Sequence, residues 1–228
     1  MRSKKIFLLG PGLLAAFALW TLLTVSVDVK HVGQRGTAVG FADFNTGFHR
    51  LTGVHLWLYY VTDWLGLVPV FICVCFGVLG LAQLIRRKSR IAVDPDILLL
   101  GAYYILVTAC YLLFEAVPIN YRPIPIDGCM EASYPSSTAL LVLSVMPTLT
   151  LQAERRCKSK AAKTALHIFA AAFSAFMVIG RLTAGVHWAT DIIGSVLLSF
   201  GLFALYAAAV RFTDERKEHG IQRKTAGA

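Results

Sequence analysis

Residues 64–85 read WLGLVPVFICVCFGVLGLAQLI, a run of 22 positions without a charged side chain. A helix needs about 20 predominantly apolar residues to cross the hydrocarbon core of a bilayer, so this run alone predicts a membrane span. The composition agrees, because 57% of the 228 residues are hydrophobic and only 15% are charged. An ordinary soluble domain carries about 25% charged residues, which argues against a soluble globular fold.

Five further apolar runs are interpreted as membrane spans. The six predicted spans are residues 6–26, 64–85, 97–117, 136–153, 165–180 and 189–210. The aromatic stretch 56–64 precedes the second span, either as an extension of it or as an interfacial belt. The fourth and fifth runs are short and rich in small residues, which favours close packing inside a bundle. The sequence therefore predicts an all-α, polytopic membrane protein: a six-transmembrane-helix bundle that forms a single membrane domain over residues 1–228.

The basic residues indicate how this bundle is oriented, because cytoplasmic connections hold an excess of Lys and Arg. With the N-terminus inside, 17 of the 22 basic residues lie on the cytoplasmic side, and the other five are Lys30, Arg35, Arg50, Arg122 and Arg181. We therefore predict cytoplasmic N- and C-termini and a basic cytoplasmic tail at 211–228. A fringe of cations facing lipid headgroups explains the net charge of +9 without a nucleic-acid partner.

Three polar segments, 27–55, 117–138 and 180–191, lie on the extracytoplasmic side in this topology. The last reads GRLTAGVHWATD and contains Arg181, His187 and Asp191. If the sixth helix begins near His187, then His187 and Asp191 share one helical face. Asp191 can then accept the proton on one imidazole nitrogen and leave the other nitrogen free as a base or nucleophile.

Arg181 supplies a planar fork of donors suited to a phosphate or a carboxylate, and a nearby helix N-terminus adds backbone donors. Together with the oriented imidazole, these groups describe a phosphoryl site. The same His187 and Asp191 pair could instead be a structural hydrogen bond or half of a metal site, and Arg181 an interfacial anchor. The metal site is the weakest of these readings, because no further His or carboxylate lies at ligand spacing.

Two more segments on the same side favour phosphate binding. Arg122 follows the third span, and the sequence Pro135-Ser136-Ser137-Thr138 opens the fourth. Pro with Ser and Thr beside it forms an ordinary cap at a helix start. The same start also presents hydroxyl groups and free backbone N–H groups to an anion.

In order and spacing, these segments resemble the type 2 phosphatidic acid phosphatase superfamily of membrane-embedded lipid phosphatases. Its three motifs read Lys-x6-Arg-Pro, Pro-Ser-Gly-His and Ser-Arg-x5-His-x3-Asp, on one side of a six-helix bundle. The matching segments here are Glu115-x6-Arg122-Pro123, Pro135-Ser136-Ser137-Thr138 and Gly180-Arg181-x5-His187-x3-Asp191. The resemblance covers about residues 55–210, which we take as the phosphatase-like core.

The resemblance implies hydrolysis of a lipid phosphate or diphosphate, with a prenyl or glycerolipid tail, through a phosphohistidine on His187 that Asp191 orients. The phosphate oxygens would be held by Arg122, Arg181, Ser136 and the Ser137 amide. No metal or other cofactor is expected, since two arginines and a helix terminus can provide the charge. The expected partners are the lipid substrate and the bilayer, in a bacterial plasma membrane with the site facing outside the cytoplasm.

Three positions depart from the family motifs. Gly180 replaces a Ser, Glu115 replaces a Lys that binds phosphate, and Thr138 replaces the His that protonates the leaving group. Threonine cannot act as a general acid at neutral pH, and losing such an acid commonly slows a reaction by about 10²–10⁴. A diphosphate substrate would suffer less, because its leaving group is already a stable phosphate anion.

Alternatively, another residue on the same side supplies the proton, and the candidates are His49, His55, Glu115, Asp127 and Glu131. Glu115 could carry a proton if desolvation raises its pKa, or could be ionised and paired with Arg122. A function from another class also follows from Thr138 and Glu115. In that case the chain is a catalytically impaired family member that binds or transports an anionic lipid, or supports a partner protein.

Overall fold

The computed structural model describes residues 2–87 and 93–226, which form eight α-helices and no β-strand. The helices are α1 (Arg2–Ser26), α2 (Ala42–Thr52), α3 (Leu56–Leu65), α4 (Leu67–Arg87), α5 (Pro95–Ala116), α6 (Ser137–Arg156), α7 (Lys160–Thr183) and α8 (Ala189–Ala226). A 3₁₀ turn covers Gln34–Gly36. The predicted all-α class is confirmed for this part of the chain.

Five helical segments among the described residues are long and apolar enough to cross a membrane. They are Leu8–Ser26, Leu56–Arg86, Pro95–Ala116, Lys160–Thr183 and Ala189–His219. These segments coincide, to within two residues at Ile6 and Val117, with or contain the first, second, third, fifth and sixth predicted spans. The aromatic stretch 56–64 is helical and forms α3, which Gly66 separates from α4.

Helix α6 contains most of the fourth predicted span but is not among these five segments. Its buried polar side chains lower its hydropathy, and it packs against α4, α5, α7 and α8 at the centre of the bundle. These polar groups have partners there: Gln152 donates to the Tyr206 hydroxyl at 2.9 Å, and Tyr104 bonds the Thr148 hydroxyl at 2.7 Å. Interior packing, predicted from its small residues, is confirmed, whereas a sixth crossing is not.

The first connection, 27–55, contains a helix that the apolar runs did not reveal. Its α2 is fixed to the start of α8 by the buried side chain of Asn45, which donates to the Thr190 hydroxyl at 3.0 Å. Asn45 also donates to the carbonyl oxygen of Gly40 at 2.8 Å. The connection therefore folds against the same end of the bundle as the loops that follow α5 and α7.

The other end of the bundle is held by a charged network. The buried carboxylate of Asp96 accepts from Arg155 at 3.1 Å and from Arg156 at 2.8 Å, and Arg155 also pairs with Asp214 at 2.7 Å. Asp214 lies on α8, which continues to Ala226, so the described part of the predicted basic tail is helical. Residues 88–92 of the second predicted cytoplasmic connection, and 227–228 of the tail, lie outside the described residues.

Candidate active site

The candidate active site lies where three segments meet at one end of the bundle: the loop 117–136, the start of α6, and the connection 184–188 between α7 and α8. The indole of Trp188 donates to the carbonyl oxygen of Tyr121 at 2.9 Å, which joins the first and third segments. Predicted site residues from all three segments are thereby brought together.

His187 is buried at the centre of this meeting point. Its Nδ1 lies 3.1 Å from the carbonyl oxygen of Ser133. A carbonyl can only accept, so Nδ1 carries the proton and Nε2 keeps a free lone pair. Burial, followed by repulsion from Arg181 and Arg122, lowers the pKa of His187 to about 4 against the opposing effect of Asp191. The imidazole is therefore neutral and nucleophilic at pH 7.

Asp191 holds a different position from the one predicted by the helical spacing. Its Oδ2 lies 3.8 Å from His187 Nδ1, beyond hydrogen-bond distance, and instead accepts from the backbone N–H of Trp188 at 2.9 Å. Its Oδ1 accepts from Asn120 at 3.2 Å. The difference arises because α8 begins at Ala189, so His187 precedes the helix and Asp191 caps it. A backbone carbonyl orients the imidazole, and Asp191 contributes charge from 3.8 Å.

Two buried guanidinium groups lie beside the same aromatic ring. Arg181 is 1% exposed and Arg122 is 8% exposed, and their Cζ atoms lie 4.9 and 5.5 Å from the ring centroid of Tyr59. Each has one acidic neighbour: Arg122 pairs with Glu131 at 2.9 Å, and Arg181 lies 3.6 Å from Asp63. Because Arg181 is buried, the hypothesis that it is an interfacial anchor is excluded. Two like charges this deep in the protein favour an anion between them.

The serines at the start of α6 complete the site. Ser136 is the N-cap residue of α6, but its buried hydroxyl makes no capping hydrogen bond. Ser137 is the first helical residue, so its N–H belongs to the first turn, which has no intrahelical acceptor. Hydroxyl and amide donors are thus available where α6 begins.

Unpartnered polar atoms are concentrated in this one region. Among the described residues, nine buried side-chain N or O atoms have no hydrogen-bond partner, and seven belong to this site. These seven are Nε and Nη1 of Arg122, Nε and Nη1 of Arg181, Nε2 of His187, and the hydroxyl oxygens of Ser133 and Ser136. Buried polar groups are normally paired, so this concentration points to an anionic ligand.

Comparison with known proteins identifies the family of this fold. Residues 102–214 match the sequence model of the PAP2 superfamily. The chain belongs to the PAP2 superfamily. A crystal structure described as the first transmembrane PAP2-type phosphatidylglycerolphosphate phosphatase, from Bacillus subtilis, is similar with a TM-score of 0.57 and 17% identity, covering 91% of this chain and 96% of that one. No curated protein matched in sequence.

The PAP2 fold and the apolar helices together identify a multi-pass membrane protein of a phosphatase-type family. The resemblance stated from the motifs is thereby confirmed at the level of the superfamily. The matched stretch runs from α5 to α8 and includes every segment that contributes to the buried donor cluster.

Thr138 and Glu115 lie in different surroundings in this PAP2 protein. Thr138 lines a cavity of about 300 Å³ together with Asp63, Tyr111 and Ser137. Glu115 is exposed at the end of α5, and no ion pair of Glu115 is found in the described ranges. The expected alternative of a Glu115 pair with Arg122 is wrong, because Glu131 occupies that position.

Gly180 lies where α3 packs closely against α7. A Cβ atom at this position would lie 2.8 Å from the Thr62 methyl group and 3.6 Å from Leu58 Cδ1. Thr62 is buried and its hydroxyl donates to the Leu58 carbonyl at 2.8 Å, which restricts its rotation. The absence of a side chain at Gly180 thus brings α3, with Tyr59 and Asp63, against Arg181.

Sequence reasoning missed several residues of the site. Tyr59 and Asp63 were read only as part of an aromatic stretch, and Asn120, Ser133 and Trp188 were not singled out. Their roles depend on long-range contacts that have no signature in a single sequence. For the metal alternative, no group of three or more His, Cys, Asp or Glu suited to an ion occurs in the residues described.

Proposed function

We propose that this protein is an integral membrane phosphatase that hydrolyses a lipid phosphate or diphosphate at the extracytoplasmic face through a phosphohistidine intermediate. The buried cluster of unpartnered donors around His187 Nε2 carries this proposal. A phosphoryl group between Arg122 and Arg181 would pair their free N–H groups and compensate two buried positive charges. Its PAP2 membership supports the reaction class.

The geometry suits an in-line displacement by His187. The lone pair on Nε2 attacks phosphorus while Nδ1 keeps its proton and donates it in a hydrogen bond to the Ser133 carbonyl oxygen, so no base is needed to activate the nucleophile. The phosphorus–oxygen bond breaks and its electron pair leaves with the departing oxygen. The guanidinium groups and the first turn of α6 stabilise charge on the equatorial oxygens.

Protonation of the leaving group is the step for which the motif positions are least suited. Thr138 has no acidic proton at neutral pH, so an alkoxide would leave slowly. A lipid diphosphate releases a phosphate monoester anion, which needs less help. This favours a diphosphate such as a prenyl diphosphate within the proposed substrate class.

A lipid substrate is supported by the walls of the cavity beside Thr138. Apolar side chains line it together with the polar residues, namely Leu67, Val107, Leu140 and Leu141. An alkyl or prenyl chain would lie against these side chains while the headgroup reaches the arginines. Most ligand pockets combine an apolar wall with a few placed polar groups in this way.

The placement in the membrane is part of the proposal. We place both termini in the cytoplasm, count α6 as the sixth crossing, and treat residues 1–228 as one membrane domain. The distribution of Lys and Arg supports this orientation, and the burial of α6 explains why a crossing helix can be polar. A bacterial plasma membrane is the proposed location.

Binding or transport of an anionic lipid without turnover is the second candidate, and Thr138 is the observation that favours it. Phosphate release by the purified protein separates the two. The panel is a set of lipid monophosphates and prenyl diphosphates in detergent without divalent metal, with His187→Ala beside the wild type. His167→Ala is the matched control, because His167 is an exposed histidine on α7.

Release that His187→Ala abolishes and His167→Ala keeps supports the enzyme and its nucleophile. Release that survives in His187→Ala overturns the phosphohistidine mechanism. Binding of the same lipids with no release by the wild type supports the second candidate.

A further inference from the structure

Asp63 lies on α3 beside the phosphate-binding arginines. Its Oδ1 is 3.6 Å from Nη1 of Arg181, and its side chain is 56% exposed. It lines the same cavity as Thr138 and is the one carboxylate among the described lining residues. A carboxylate is thus present at the cavity where the family motif has an acid–base histidine and this chain has Thr138.

The other candidates for proton transfer are bonded to other groups or exposed outside the cavity that contains Thr138. Glu131 is bonded to Arg122 at 2.9 Å, and Glu115 is exposed at the end of α5. His49 bonds the carbonyl oxygen of Gly185 and His55 bonds that of Thr52, each at 3.0 Å. Asp127 is exposed in a turn with a positive φ of 49°. None of these five residues lines the cavity that contains Thr138.

We propose that Asp63 is the general base that activates water for hydrolysis of the phosphohistidine, an inference that rests on the proposed function. The Asp63 carboxylate takes a proton from water as the water oxygen bonds to phosphorus. The bond between phosphorus and His187 Nε2 breaks, and its electron pair returns to Nε2. Inorganic phosphate leaves, His187 is again neutral with its proton on Nδ1, and Asp63 releases its proton to solvent through its exposed side.

This role divides the two half-reactions between different groups. Formation of the phosphohistidine needs no protein acid when the leaving group is a phosphate monoester. Hydrolysis of the phosphohistidine needs a base, which Asp63 provides and Thr138 cannot. The Arg181 guanidinium lies 3.6 Å from Oδ1 of Asp63. The same contact keeps the carboxylate beside the phosphate that the guanidinium binds.

The test is the level of phosphoenzyme in full-length Asp63→Asn during turnover of a lipid diphosphate labelled on the terminal phosphate. Samples are quenched at neutral or alkaline pH, because phosphohistidine is acid-labile. We expect labelled protein to accumulate in Asp63→Asn while steady-state phosphate release falls by about 10²-fold or more. A structural role would slow both half-reactions and leave no accumulation, and Asp63→Glu should restore part of the turnover.

The controls separate this inference from the proposed function. Asp127→Asn changes an exposed carboxylate in a turn that asparagine accepts, so it should behave as wild type. Turnover and labelling of Asp63→Asn equal to wild type would overturn the role of Asp63 alone, and accumulation in Glu131→Gln instead would transfer the role to Glu131. A wild type that neither forms labelled protein nor releases phosphate would overturn both proposals.

Discussion

The proton on His187 Nδ1 is held by the carbonyl oxygen of Ser133, 3.1 Å away. Ser133 lies in the loop just before α6, so the segment that carries the proposed phosphate-binding serines also sets the tautomer of the proposed nucleophile. A backbone carbonyl does not titrate in the physiological range, unlike the carboxylate expected in this place. The tautomer should therefore stay constant over a wide range of pH.

The pH dependence of kcat/KM should reflect the buried state of His187. Burial lowers the pKa of His187 to about 4, so the free enzyme keeps the neutral form well below the ordinary value of 6.5. We expect no loss of kcat/KM from His187 between pH 7 and about pH 5, and a fall only near pH 4. The measurement is kcat/KM against pH, and a descending limb with its midpoint near pH 6.5 would contradict the burial.

The same shift has a consequence for stability. Between about pH 4 and 6.5 the unfolded state binds a proton at His187 that the folded state does not bind. Stability should therefore fall as the pH is lowered through this window. His187→Gln should lose this contribution to the pH dependence of thermal unfolding.

Substitution of Asp191 should separate its charge from its role as a helix cap. Asp191→Asn keeps an oxygen that can accept from the Trp188 N–H, and it removes the negative charge 3.8 Å from His187. We expect a small change in thermal stability and a loss of kcat of about 10- to 100-fold, because the imidazole becomes cationic when it is phosphorylated.

Asp191→Ala provides the contrast. It leaves the donors of Trp188 and Asn120 without their acceptor and should cost about 1–3 kcal/mol of unfolding free energy for each buried group. Thermal unfolding and initial rates measured on both variants give the comparison. Wild-type kinetics in Asp191→Asn would mean that Asp191 acts as a cap alone.

Thr138→His should restore an acid–base group at the cavity. Thr138 is half-buried and lines about 300 Å³ of space, which can accept an imidazole. We expect the rate on lipid monophosphates to rise on the order of 10² relative to the rate on diphosphates, because the alkoxide leaving group benefits most from an acid. Thr138→Asn, similar in polarity but without an acid, is the control. Equal gains in both variants would count against acid catalysis.

The charged network at the far end of the bundle should determine stability and leave the chemistry intact. Asp96→Ala removes a buried carboxylate that Arg155 and Arg156 share, and should cost about 3–5 kcal/mol. Asp214→Ala removes a more exposed partner of the same Arg155 and should cost about 1 kcal/mol or less. Thermal unfolding measures both, and phosphate release normalised to folded protein should be unchanged.

Hydropathy predicted the positions of the helices well because long apolar runs have few alternatives in a membrane. It also placed a span over α6, which is not among the five described segments that are apolar enough to cross, because a helix surrounded by other helices can carry Ser144, Thr148 and Gln152. It also missed α2, whose position depends on the Asn45 contacts with α8. In both cases a tertiary contact decides what the local sequence leaves open.

The motif spacing brought Arg122, Ser136, Arg181 and His187 to one place, as expected from the ordered resemblance. It did not give the contacts among them, because the spacing of His187 and Asp191 was interpreted with both residues on one helix. The helix begins two residues after His187, so a backbone carbonyl takes the predicted place of the carboxylate. Tyr59 lies more than 60 positions from the nearer arginine, Arg122, in sequence, and only the fold reveals it.

The glycine at position 180 constrains how such a chain can change. A serine there would force the Thr62 methyl group aside and tilt α3, which carries both the ring that contacts the arginines and Asp63. Restoring the family serine and installing a histidine at Thr138 would therefore show epistasis, with the double variant differing from the sum of the two single changes. A substitution that removes the Thr62 methyl group would therefore have to precede the change of Gly180 to serine.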